Sequence, residues 1–151
     1  MNYDEFLSEY DNEYVIEMDM MDSLKGLCTE DGIIINKKIA TETEKKCICA
    51  EEIGHARTTA GNILDQSIVS NRKQELRARD WAVQALLTLD DLIKAVKSGC
   101  GNSYEVADFL DVTEEFLATA LDYFKRKYGV SVHHDGYIIT FNDCGFGVVS
   151  E

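Results

Sequence analysis

Glu51-Glu52-Ile53-Gly54-His55 sets two carboxylates and an imidazole within one short stretch of chain. On a helix, residues at i and i+4 share a face, so Glu51 and His55 point the same way while Glu52 stands about 100° around from Glu51. Two such groups can hold a cation while the third faces a water molecule on it. The zinc-peptidase pattern His-Glu-x-x-His works in this manner, with its inner Glu as general base. His55 and Glu52 keep that register here, and Glu51 occupies the first ligand position. A carboxylate oxygen ligates zinc at about 2.0–2.2 Å, so the substitution alters the site without abolishing it. Glu51 and His55 are therefore candidate metal donors, and Glu52 is the candidate catalytic base. Taken alone, the pentapeptide reads first as a solvated acidic helix face carrying an ordinary surface histidine, and it is the context that favours a metal site.

A helix has to carry these groups. Thr41-x-x-Glu44 has the spacing of a capping box, and the pattern predicts a helix from about Thr41 or Thr43 to Arg57. Cys47, Ile48 and Ala50 make its first half apolar, which leaves Glu51 partly buried. An unpaired buried carboxylate is expensive, and a metal ion is one partner that offsets the penalty. Gly54 weakens a helix interior by roughly 0.5–1 kcal/mol relative to Ala. Its use there implies that another segment approaches closely beside His55.

Ahead of this helix, Tyr3 to Tyr10 carries an apolar stripe of helical period. Tyr14-Val15-Ile16, Leu24 to Cys28 and Ile33-Ile34-Ile35 read as strands, the last two joined through Asp31-Gly32 as a hairpin. These strands are expected to form a small antiparallel sheet. Beyond the motif, residues 58–71 read as a loop, Arg72 to Leu89 as a second long helix, and 90–97 as its helical continuation. Ser98-Gly99-Cys100-Gly101-Asn102 is a break. The expected division is therefore a core over residues 1–98 and a C-terminal subdomain over 103–151.

The chain has 151 residues, enough for one compact unit or a small domain with an added lobe, and 45% of them are hydrophobic. Fifteen basic against twenty-eight acidic residues give a net charge of −13, which argues against nonspecific binding to nucleic acid or an anionic membrane. The same charge suits a basic partner. The five cysteines are odd in number and lack CxxC spacing, so they are read as reduced, mostly buried thiols of a cytoplasmic protein. The first residues have neither the basic nor the apolar region of a signal peptide, and no apolar run is long enough to span a bilayer.

Glu44-Lys45-x-Cys47-x-Cys49-Ala50-Glu51-Glu52-Ile53-Gly54-His55, followed by Glu75-x-x-Ala78-x-x-Trp81-Ala82, resembles the ImmA/IrrE metallo-endopeptidases, zinc peptidases of phages and mobile elements. The likeness runs from about Leu24 to Leu89. It implies an α+β, zincin-like minimal core. It also implies His55 as a metal ligand, Glu52 as the base, and Glu75 on the following helix as a further ligand. Glu51 stands where that family usually has histidine. One imidazole and two carboxylates form a harder donor set, which moves preference from zinc toward manganese or iron while leaving zinc the first choice. Small residues at Ala78 and Ala82 would let the two helices approach, and Trp81 reads as core rather than substrate contact.

Residues 103–128 have the cadence of a helix-turn-helix, with a turn near Leu110-Asp111-Val112, and His133 to Phe141 reads as a terminal hairpin. The second helix opens with Thr113-Glu114-Glu115, which would face phosphate with like charge, so DNA binding is not expected. His133 and His134 read as exposed hairpin residues. The resulting expectation is an endopeptidase that cuts a basic helix-turn-helix repressor or similar regulator, without nucleic acid or membrane as partner. The alternative is an inactive pseudo-peptidase that binds the same regulator.

Overall fold

The structure is a computed structural model that describes residues 1–10, 14–58 and 68–151. It is α+β, and it divides into two compact units, Met1–Leu86 and Leu87–Glu151. Helix 89–97 belongs to the second unit, whereas the sequence division at residue 98 leaves it with the first.

The first unit begins with α1 (Tyr3–Glu9), opened by a complete capping box in which the Asn2 side chain accepts from Glu5 N and the Glu5 carboxylate accepts from Asn2 N. Strands β1 (Val15–Met18), β2 (Gly26–Thr29) and β3 (Gly32–Asn36) form a sheet in the order β1-β3-β2. The hairpin β2–β3 is antiparallel, as its Asp-Gly turn predicts, but β1 lies parallel to β3 with Ile16 opposite Ile34. The expected antiparallel sheet is thus mixed. Strand β1 ends and β2 begins at the same Asn36 end of β3, so the residues between them need only step past that end. An antiparallel β1 would end at the far side and require a return along the sheet.

Ile33 and Ile35 alternate onto the buried face of β3 and pack under α2 (Glu42–Thr58). Thr41 Oγ1 accepts from Glu44 N at 3.1 Å, so the predicted cap forms. Two ion pairs fasten the start of α2 to the sheet. Lys45 Nζ reaches Glu17 of β1 at 2.6 Å, and Lys25, beside β2, reaches Glu44 at 2.6 Å. Buried Asn36 donates to the carbonyls of Met21 and Leu24 and so pins the loop before β2. Next comes α3 (Ile68–Leu86), which packs along α2. It begins earlier than the sequence suggests, because residues 68–71, assigned there to a loop, are helical. The rest of that loop assignment, 59–67, lies outside the described residues.

In the second unit, α4 (Leu89–Lys97), α5 (Ser103–Leu110) and α6 (Glu114–Tyr128) precede β4 (Ser131–His134), β5 (Tyr137–Asn142) and β6 (Gly145–Ser150). The expected terminal hairpin is two strands of a three-stranded antiparallel sheet, β4-β5-β6. Strand β6 was not foreseen, since Gly145 and Gly147 break its apolar pattern. Ile139 and Phe141 on β5 face the core, where Phe141 stacks on Phe124 of α6. No described helix is long and apolar enough to cross a membrane. None of the five cysteines forms a disulfide: Cys47 and Cys49 are buried as expected, while Cys144 is exposed.

Candidate metal and catalytic site

The site is built where α2 crosses α3. Their contact is closest at Gly54, where an added Cβ would lie 2.3 Å from the Ala78 carbonyl oxygen. The glycine is therefore required by α3 backbone rather than by any turn, and Ala78 supplies the matching small residue. This approach puts His55, the residue after Gly54, against α3, where its Nε2 lies 3.4 Å from Glu75 Oε1. Two of the three proposed metal donors meet across the helix pair. Glu51, one turn earlier on α2, is half-buried, and its side chain does not complete the cluster. Among the described residues, no three His, Cys, Asp or Glu side chains converge as a ready metal site.

Glu52 lies next to His55 around α2, about 60° away on the side toward the sheet. A Cβ at Gly26 of β2 would lie 3.0 Å from its Cγ, so the β2 backbone walls one side of the carboxylate. Sequence reasoning did not single out Gly26. A glycine inside a strand is nevertheless a signal of close backbone approach. Burial between helix and strand is the main influence that raises the Glu52 pKa to about 7, and the negative charges of Glu51 and Glu75 raise it further.

Those influences provide a test of whether the residues fit a cation. Glu51, Glu52, Glu75 and His55 gather negative potential and lone pairs on a partly desolvated surface, and the resolved effects on Glu52 all disfavour its ionised form. A divalent ion would reverse that sign and accept the donors that already face each other, so the donor chemistry fits. Glu51 shares a helix face with His55 through its i, i+4 spacing.

Away from this cluster, His133 pairs with Glu151, and His134 Nε2 lies 3.0 Å from Asp90 Oδ1, so both stand in ordinary polar contacts. Trp81 is half-buried and meets Tyr10 edge to face. Beneath α2, Cys49 is fully buried, and burial is the main reason its thiol is pushed up to about 12; it is an inert core residue rather than a donor.

The family model described as Peptidase_M78: IrrE N-terminal-like domain matches residues 9–122. No curated protein and no solved structure matches the chain.

Proposed function

Since the chain belongs to the Peptidase_M78, IrrE N-terminal-like family, we propose that it is a cytoplasmic, metal-dependent endopeptidase with a zincin-like core whose substrate is a basic helix-turn-helix repressor or similar regulator. The observation that carries this reading is the meeting of His55 and Glu75 across α2 and α3 beside a half-buried Glu52. His55, Glu75 and Glu51 would hold the ion, with zinc first and manganese or iron as alternatives. When bound, that ion supplies Lewis-acid activation of water and of the peptide carbonyl.

The chain's own residues supply the rest. In the metal-free chain, burial and the negative charges of Glu51 and Glu75 raise the Glu52 pKa to about 7, so its carboxyl can hold a proton as well as release one. That suits a group which first takes a proton from the attacking water and then delivers it to the leaving amine. The β2 backbone at Gly26 limits the water around that carboxyl. A net charge of −13 favours encounter with a basic regulator. The α5–α6 segment, read as helix-turn-helix-like, offers acidic residues for docking it.

Metal analysis after purification without chelator tests the reading. One zinc per chain is expected, lost in His55→Ala and kept in Glu52→Ala, while both variants lose cleavage of the repressor. Failure to take up any divalent metal under any loading condition would end the enzyme reading. A second reading, the pseudo-peptidase that acts by binding, draws support from the incomplete donor cluster with glutamate at position 51. It requires Glu52→Ala to keep the full effect on the regulator.

A further inference from the structure

We infer that Arg57 is a positioning residue: clamped between Tyr10 and Trp81, it fastens α1 along α2 and seats the last turn of α2 on α3, which holds His55 against Glu75. The Arg57 guanidinium carbon lies 5.2 Å from the Tyr10 ring centroid and 5.2 Å from that of Trp81. The two rings also meet each other edge to face at 5.4 Å. One residue of α2 therefore joins the end of α1 to α3. A planar guanidinium can stack on two aromatic groups at once, which a compact ammonium does less well.

The other end of α1 is tied to the same helix. Lys46, only 2% exposed, donates its Nζ to the Met1 carbonyl at 2.7 Å. From Lys46 to Arg57 is about 16 Å of helix, and from Met1 to Tyr10 about 13 Å at the same rise. The spans agree, so α1 runs parallel beside α2, with Tyr3 and Phe6 buried and Tyr10 packed on Phe6 with its ring tilted by 47°. Helix α1 is thus a splint along the helix that carries Glu51, Glu52 and His55.

Helices α2 and α3 pack along one another, and Gly54 against Ala78 is one close contact beside His55. Arg57 lies two residues beyond His55, and Trp81 lies beyond Glu75 on α3, so the stack adds a further attachment near the donor pair. The family match begins at residue 9, so α1 lies almost wholly outside the matched segment.

Only the metal part of this inference rests on the proposed function, and two measurements keep them separable. The first uses metal-free protein: the nuclear Overhauser contact between the His55 ring and the Glu75 side chain should fall severalfold in Arg57→Ala and return only in part in Arg57→Lys. The second is zinc titration by calorimetry, where Arg57→Ala should weaken binding about tenfold, as loss of a supporting contact around metal ligands does. A contact and a zinc affinity unchanged in Arg57→Ala, whatever its melting temperature, would overturn the inference. If wild type takes no zinc but the metal-free contact responds as stated, the metal reading falls and the positioning role stands. Should Arg57→Ala fail to fold, Tyr10→Leu removes the ring while keeping apolar packing, and the same readouts decide.

Discussion

Helices α2 and α6 are of similar length and answer to opposite demands. In α6 every local preference agrees with the fold. Thr113 Oγ1 caps Phe116 N at 3.0 Å, Glu114 and Glu115 stand in the first turn, and Lys125, Arg126 and Lys127 stand in the last. Phe116, Leu117, Ala120, Tyr123 and Phe124 form one buried stripe. Helix α2 starts as regularly, capped by Thr41, but from Lys46 onward it departs from the rules. It buries a lysine, half-buries two adjacent glutamates and a histidine, and places a glycine mid-helix. Each departure has a partner: Met1 for Lys46, Ala78 for Gly54, Glu75 for His55. Where α6 is made for stability, α2 gives up local stability to set particular groups in place.

The strongest way to break this comparison is Gly54→Ala. In an isolated helix the change would stabilise, by up to about 1 kcal/mol. In this protein the new Cβ would meet Ala78 backbone at 2.3 Å, and backbone cannot rotate aside. The helices must separate. A net loss of about 2 kcal/mol is expected, in the range for overpacked sites, together with loss of the His55–Glu75 contact. Denaturant midpoints of wild type and variant check it. A variant as stable as wild type would mean that Gly54 is a helix imperfection with no role.

Glu52→Gln sharpens the same contrast through pH. Burial and its acidic neighbours hold the Glu52 pKa at about 7 in the folded chain, above the ordinary glutamate value of 4.5. The folded state therefore binds more protons between those two values, and stability falls as pH rises through that window. Below about 4.5 the carboxyl is protonated in both states and the penalty vanishes; above about 7 it is complete. The shift would imply about 3 kcal/mol, and solvent screening of a half-buried group reduces this to about 2 kcal/mol. Metal-free Glu52→Gln should gain that stability at pH 8 and little at pH 4. A constant offset at all pH values would assign the change to packing instead.

These departures also decide what could be read from sequence. Elements that follow local rules were legible: the α5 and α6 boundaries, the Asp-Gly turn of β2–β3 and the Thr41 cap all follow from short-range chemistry. Gly54 could be read because a glycine in a helix needs a reason, and Ala78 supplied the matching small residue. Glu75 was reached through the resemblance alone, since one glutamate in the charged run Arg72 to Arg77 has no local mark. The parallel pairing of β1 was missed because strand direction depends on the path of the connection and not on composition. Arg57 was missed for a similar reason: its two aromatic partners lie far away along the chain, and no spacing rule connects residues 10, 57 and 81.

The smallest effect belongs to the regular helix. Thr113→Ala removes the hydroxyl that accepts from Phe116 N, at a cost of about 1 kcal/mol, whereas Thr113→Asn, another good cap, should be nearly neutral. The informative part is what stays constant. A cap in α6 stabilises without arranging chemistry, so zinc affinity and the His55–Glu75 contact should match wild type while the denaturant midpoint drops. Gly54→Ala should move all three. If Thr113→Ala also weakened zinc binding, stability and site geometry would be coupled through the whole chain, and α2 could not be treated as the helix that alone exchanges one for the other.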